Sequence, residues 1–265
     1  ATIDDIVDEP DETFTVTLTG ATNATVVTAT GAAAINDNDL PPDVSIGNAA
    51  AVTEGGTSSF TVSLYRPGTS TLHTSEKTVT VNFSVANGTA TAGDYTMPSP
   101  LSITINAGTS TGTITVATID DIVDEPDTEN FTVTLTGATN ATVVTATGTA
   151  TINDNDLPPD VSIGNAAAVT EGGTSSFTVS LYRPGTSTLH TSEKTVTVNF
   201  SVANGAAMSG SDYTIPGTLL ITINPGVSTG TITVATIDYI VDEPDTEDIT
   251  VTLTGATNAT VVTET

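Results

Sequence analysis

The chain has 265 residues with no Cys and no Trp, and its 31 acidic against 4 basic side chains give a net charge of −27. This balance excludes a phosphate-binding surface and nucleic-acid partners, and the lack of Cys excludes disulfide staples and thiol catalysis. The natural partners of such a chain are cations, and the regular patterning between its acid clusters argues for a folded protein rather than a disordered one.

No apolar run approaches the ~20 residues that span a membrane, so no insertion is expected in this segment. Self-similarity dominates the chain. The segment V-S-I-G-N-A-A-A-V-T-E-G-G-T-S-S-F begins at Val44 and again at Val161, a domain-sized period of 117 residues. An acidic stretch gives a third register, with Asp4, Asp120 and Asp238 in equivalent places.

In chain order, residues 1–39 hold the acidic stretch and the last two strands of a domain, and Leu40-Pro41-Pro42-Asp43 forms a short, semi-rigid linker. Residues 44–156 form a complete unit. Its strands show period-two alternation at Phe60–Leu64, Val79–Val85, Leu101–Ile105, Ile114–Val116 and Phe131–Leu135, with a last strand over about 141–152. Turn signals separate them at Arg66-Pro67-Gly68, Asn87-Gly88, Ala92-Gly93-Asp94 and Asn106-Ala107-Gly108. A second linker covers 157–160, and residues 161–265 repeat the unit without its I-N-D-N-D end. No segment has helical spacing. About seven short strands in ~110 residues, apolar on one face, predict an all-β chain of tandem antiparallel β-sandwiches of immunoglobulin-like type. The chain opens inside one copy and stops inside another. It is therefore expected to be an excerpt of a longer array, or else to have its broken domains completed by strands from another molecule.

Ten of the twelve acids between Val44 and Asp160 flank strand ends or lie in the acidic corner. Gathered at one pole, they would require cations. Oxygen donors in irregular loops, without His or Cys, select Ca²⁺ over zinc or copper and suit it better than Mg²⁺. His73 and His190 sit in the polar loop T-S-T-L-H-T-S-E-K and are expected to be exposed. No G-x-S-x-G elbow accompanies either, so the chain is not expected to be an enzyme.

Four motifs in this order resemble the Calx-beta domain family: Thr53-Glu54-Gly55; Gly93-Asp94-Tyr95; Asp120-Asp121-x-x-x-Glu125 followed by Glu129-Asn130-Phe131; and Asp154-x-Asp156. The first copy fits the corner as Asp4-Asp5-x-x-x-Glu9, ending in Asp37-x-Asp39. The resemblance implies Ca²⁺ as the bound ion. Its side-chain ligands would be Glu54, Asp94, Asp120, Asp121, Glu125, Asp154 and Asp156 in the complete copy, and Asp4, Asp5, Glu9, Asp37 and Asp39 in the first. Glu129 stays outside the set, because Thr128 is an insertion relative to the first copy. The third copy carries over Glu171, Asp212, Asp238 and Glu243, but Tyr239 replaces the second Asp, which predicts a weaker site.

The function this implies is a calcium-stabilised structural repeat of a secreted or cell-surface bacterial adhesin, stalk or filament, with the ion beside each linker. Its partners would be neighbouring repeats or identical subunits head-to-tail, together with cell-surface or glycan ligands. The alternatives are a carbohydrate- or ice-binding module, suggested by runs such as Thr132-x-Thr134-x-Thr136, and a strand-exchange fibre subunit. Sequons at Asn23, Asn140 and Asn258 permit glycosylation.

Overall fold

The computed structural model of the chain describes residues 2–238, 240 and 246–262. Among them there is no helix, and none is therefore long and apolar enough to cross a membrane. In the first copy β1 (Glu12–Thr17) and β2 (Thr30–Ile35) form an antiparallel ribbon. The second copy contains β3 (Asp43–Ile46), β4 (Val52–Thr53), β5 (Thr57–Tyr65), β6 (Val79–Asn87), β7 (Ser102–Ile105), β8 (Thr111–Ala117), β9 (Thr128–Thr139), β10 (Thr142–Thr145) and β11 (Thr147–Asn153). These make two sheets, ordered β10-β3-β5-β8 and β4-β11-β9-β6-β7. The third copy contains β12 (Asp160–Ile163), β13 (Thr174–Tyr182), β14 (Val196–Asn204), β15 (Tyr213–Thr214), β16 (Leu220–Ile223), β17 (Thr229–Thr236), β18 (Ile249–Thr257) and β19 (Thr260–Val261), in sheets ordered β15-β17-β13-β12-β19 and β16-β14-β18, without a counterpart of the β4-β11 pair among the described residues.

The alternation seen in sequence is the alternation of burial. Phe60, Val62 and Leu64 of β5, Val79 and Val81 of β6 and Phe131 and Val133 of β9 are each at most 1% exposed and form one core with Ile105, Ile114 and Val116. Two details depart from a purely antiparallel plan. The last strand is split: β10 runs parallel to β3 in one sheet, and β11 runs parallel to β4 in the other. The split follows from Thr145-Ala146-Thr147, where the chain changes sheets between two short strands, and it raises the strand number above seven. Gly148 lies at this crossing. A Cβ there would meet the Gly47 carbonyl oxygen at 2.5 Å and the Phe60 ring at 3.1 Å. Gly148→Ala is expected to cost about 1–3 kcal/mol by overpacking; a calorimetric scan indistinguishable from wild type would contradict this.

The chain divides into two compact units, Ala1–Asp120 with Glu129–Asn153, and Asp121–Thr128 with Asp154–Thr265. This division differs from the sequence repeat, because the second copy's acidic corner and the stretch after Asn153 pack with the third copy.

Candidate metal centre

In the first unit, three acids gather around the end of β8. The turn between β4 and β5 needs Gly55 in the left-handed region (φ 73°), and a Cβ there would lie 2.9 Å from Cβ of Asp120. The turn therefore lies directly against Asp120. The Thr118 amide donates to the Gly56 carbonyl at 3.0 Å and the Glu54 amide to the Asn153 carbonyl at 3.1 Å, which tie Glu54 to both strand ends. Asp94 is placed by its neighbour. Tyr95 is buried, stacks on Phe131 with ring centroids 4.5 Å apart, and donates its hydroxyl to Asn87. That anchor holds the turn so that the Ile119 amide bonds the Asp94 carbonyl at 2.9 Å, while the Asp94 carboxylate accepts from the Thr91 amide. Burial, then the adjacent Asp94, pushes the Tyr95 phenol above its ordinary pKa.

The corner itself is ordered by its own acids. The Asp121 carboxylate accepts from the Val123 amide at 2.7 Å, and Asp154 accepts from the Asp156 amide at 3.3 Å. The same turns recur in the first copy, where Asp5 accepts from Val7 at 2.8 Å and Asp37 accepts from Asp39 at 3.2 Å. In the first unit, carboxylate oxygens of Asp94 and Glu129 lie within 4.8 Å of each other, and in the second unit so do those of Asp121 and Asp156 and those of Glu125 and Asp154. Glu54, Asp94, Glu125 and Glu129 are all buried, at 6–9% exposure. Carboxylates this close and this dry repel one another unless a cation lies among them. The donors are all oxygen, irregularly disposed, which fits Ca²⁺.

In the first copy, Asp4, Asp5, Glu9, Glu12, Asp37 and Asp39 line a cleft of about 100 Å³. Burial, and then Asp5 and other acids nearby, pushes the Glu9 carboxyl up. Burial followed by Asp37, Asp4 and Asp5 does the same to Asp39. Asp37 is the exception: burial opposes its ionisation, but the amides of Asp39 and Glu9 and the Lys77 ammonium hold its carboxyl below the usual range. In the third copy the Gly172 turn lies against Asp238 as Gly55 lies against Asp120. Burial raises the Glu247 carboxyl, as do the charge of Asp212 with its hydrogen bond and the charge of Glu171. Glu171, Asp212 and Glu247 are thus brought together, whereas Glu243 and Tyr239 lie outside the described residues.

Three features depart from the sequence expectation. Glu129, set aside because of the Thr128 insertion, lies beside Asp94; the extra residue is taken up at the start of β9, and the E-N-F motif is the signal for it. Asp8 and Asp124, in no expected ligand set, are among the most buried acids at 2% and 1% exposure, and each meets a lysine. His73 and His190 are not exposed but 9% and 8% accessible, because the loop carrying them folds back so that their amides bond the Leu64 and Leu181 carbonyls at 3.0 Å.

No curated protein matches the chain. Similar solved structures include CBD12 from CALX1.2 at 16% identity, over 81% of this chain and 80% of that one, with a TM-score of 0.37. Another is the calcium binding domain CBD12 of CALX1.1 at 18% identity, over 72% and 74%, with a TM-score of 0.36. A third is the Yersinia pseudotuberculosis adhesin InvE at 19% identity, over 74% of this chain and 51% of that one, with a TM-score of 0.34. The Calx-beta domain family model matches residues 1–39, 48–156 and 166–264. With nearly the whole length accounted for in three successive matches, the chain belongs to the Calx-beta domain family.

Proposed function

We propose that this chain is a calcium-stabilised structural repeat of a secreted or cell-surface adhesin, stalk or filament, in which the ion orders the acidic corner beside each linker. The observation that supports it is the close approach of carboxylates within each unit, Asp94 with Glu129 and Glu125 with Asp154, together with the six acids that line the first copy's cleft. Glu54, Asp94, Asp121, Glu125, Glu129, Asp154 and Asp156 would hold the ions in the second copy, with Asp120 behind the Gly55 turn. Ca²⁺ supplies positive charge and a flexible coordination shell, so loops otherwise driven apart by repulsion close on their strands.

Calorimetric titration of the whole chain with calcium is the test. Wild type is expected to bind in the range of ~10⁻⁴–10⁻³ M common for extracellular modules. Glu54→Gln with Glu125→Gln should remove the second copy's ions, because both are buried carboxylates of the expected ligand set. The third copy, with Tyr239 in place of an Asp, should account for the weakest binding. No calcium heat above a sodium control would overturn the proposal.

A second reading, carbohydrate binding, is favoured by an open groove of about 540 Å³ over β3 and β5, lined by Ser45, Thr61, Ser63, Tyr65, Thr69 and Ser70. Hydroxyl partners with one aromatic face suit a sugar. Retention on a glycan array, lost in Tyr65→Ala, would support it; no retention would end it.

A further inference from the structure

Two of the chain's four basic residues, Lys77 and Lys194, occupy the same place in successive copies, two residues after a buried serine in the segment Ser-Glu-Lys. Neither contributes to its own copy's acidic corner. Each reaches the corner of the copy before it.

At the first junction the Ser75 hydroxyl lies 3.1 Å from both the carbonyl and a carboxylate oxygen of Asp8 and donates to that residue. The Glu76 amide donates to the Asp8 carbonyl at 3.0 Å. The Lys77 ammonium donates to Asp8 at 2.8 Å and Asp37 at 3.2 Å, and its own amide donates back to the Ser75 hydroxyl at 3.0 Å. At the second junction the same bonds recur. Ser192 donates to Asp124 at 2.8–3.0 Å and the Glu193 amide bonds the Asp124 carbonyl at 2.9 Å. Lys194 meets Asp124 at 3.1 Å, Asp127 at 2.8 Å and Asp154 at 3.8 Å. A parallel bridge pairs Asp124 with Ser192.

Each segment is braced from behind by its own copy. The amides of Gly108 and Gly226, both at positive φ, donate to the Ser75 and Ser192 carbonyls at 2.8 and 2.9 Å. Ser75, Ser192, Asp8 and Asp124 are 1–2% exposed, so the joint is dry at its centre. The segment bends after the serine, and the lysine amide's bond to the serine hydroxyl, 3.0 Å in both copies, holds hydroxyl and ammonium together so that both grip one carboxylate. Asp8 lies outside the first copy's acid-lined cleft and Asp124 outside the second copy's carboxylate groups, whereas Asp37 and Asp154 belong to those sites and also meet the lysine.

We propose that Ser-Glu-Lys is a repeat-coupling plug whose partner is the Asp-Glu-Pro-Asp corner of the adjoining copy, and that it joins successive repeats by a buried, metal-independent ion pair. Recognition comes from charge together with the backbone bond to the Asp carbonyl, so each copy carries a socket for the next copy and a plug for the last. The corner's aspartate is buried against its lysine partner, and removing one side of such a pair leaves an uncompensated buried charge.

Residue-resolved hydrogen exchange on the whole chain tests this, because the Glu76 and Glu193 amides are protected only by bonds to the preceding copy. In wild type both should be protected, with calcium or with EDTA. In the Lys77→Met, Lys194→Met variant both should exchange at least about tenfold faster, equivalent to about 1.4 kcal/mol, while the buried Val81 and Val198 amides are unchanged. If the lysine variant also loosens those core amides, Ser75→Ala with Ser192→Ala gives the decision by the same measurement. Unchanged exchange of Glu76 and Glu193 in the deciding variant overturns the proposal. Wild-type protection lost in EDTA overturns metal independence. Failure of the calcium reading would leave this protection intact, so the two outcomes are separable.

Discussion

Phe131→Ala is expected to cost about 3–5 kcal/mol and to weaken calcium binding in the second copy, in one substitution. Phe131 is fully buried, packs edge-on against Phe60 at 6.1 Å and stacks with Tyr95 at 4.5 Å. Truncation opens a cavity where two sheets meet and deprives Tyr95 of the ring beneath it. Asp94 precedes Tyr95, and Glu129 lies two residues before Phe131 on the same strand, so both carboxylates lose their support. Urea unfolding gives the first effect and calcium titration the second. Phe131→Leu keeps most of the volume and should lose less than half as much stability. A Phe131→Ala chain with wild-type stability would show that the Phe131 contacts do not hold the core; wild-type calcium affinity in a destabilised chain would show that the Tyr95 anchor does not govern Asp94.

Much of this is legible in the sequence. Phe60, Val62 and Leu64 alternate with Thr61 and Ser63 because one face of a half-buried strand is wet, so strand identity and core membership read directly from period two. The Glu54-Gly55 and Gly93-Asp94-Tyr95 turns were legible because a left-handed glycine and a buried tyrosine are each needed for one local geometry. What could not be read was long-range. The crossing of Thr145–Thr147 between sheets leaves no periodic trace, since both short strands look alike. The burial of Ser75 is hidden for the same reason: a polar loop is expected in water, and the arrival of another copy's aspartate makes a dry site of it.

The acidic corner changes meaning accordingly. Six acids in one short stretch of the first copy look like a single cage, yet Asp8 is taken by Lys77 while Asp4, Asp5, Glu9 and Glu12 line the open cleft. Covalent neighbours serve different partners because Pro10 and the turn set by Asp5 point successive side chains to different sides of the corner. A lysine can neutralise only what its single charge reaches, so most of the corner's carboxylates still need another cation.

Removing calcium is therefore expected to lower the melting temperature strongly while leaving the fold class intact. An ion that binds only the folded chain with a dissociation constant of ~10⁻⁴–10⁻³ M stabilises it, at about 10 mM calcium, by roughly 1.4–2.7 kcal/mol. For a domain of ~100 residues each kcal/mol shifts the transition by about 4–8 °C, so one ion gives on the order of 6–20 °C. Calorimetry in EDTA, in calcium, and in sodium chloride of matched ionic strength separates binding from screening, since screening acts on every exposed charge without regard to the corner. Magnesium should recover little, as it demands an octahedron that these loops do not offer. If sodium matches calcium, the corner is neutralised by atmosphere alone. If EDTA changes nothing, the corner does not depend on calcium and the calcium reading is overturned.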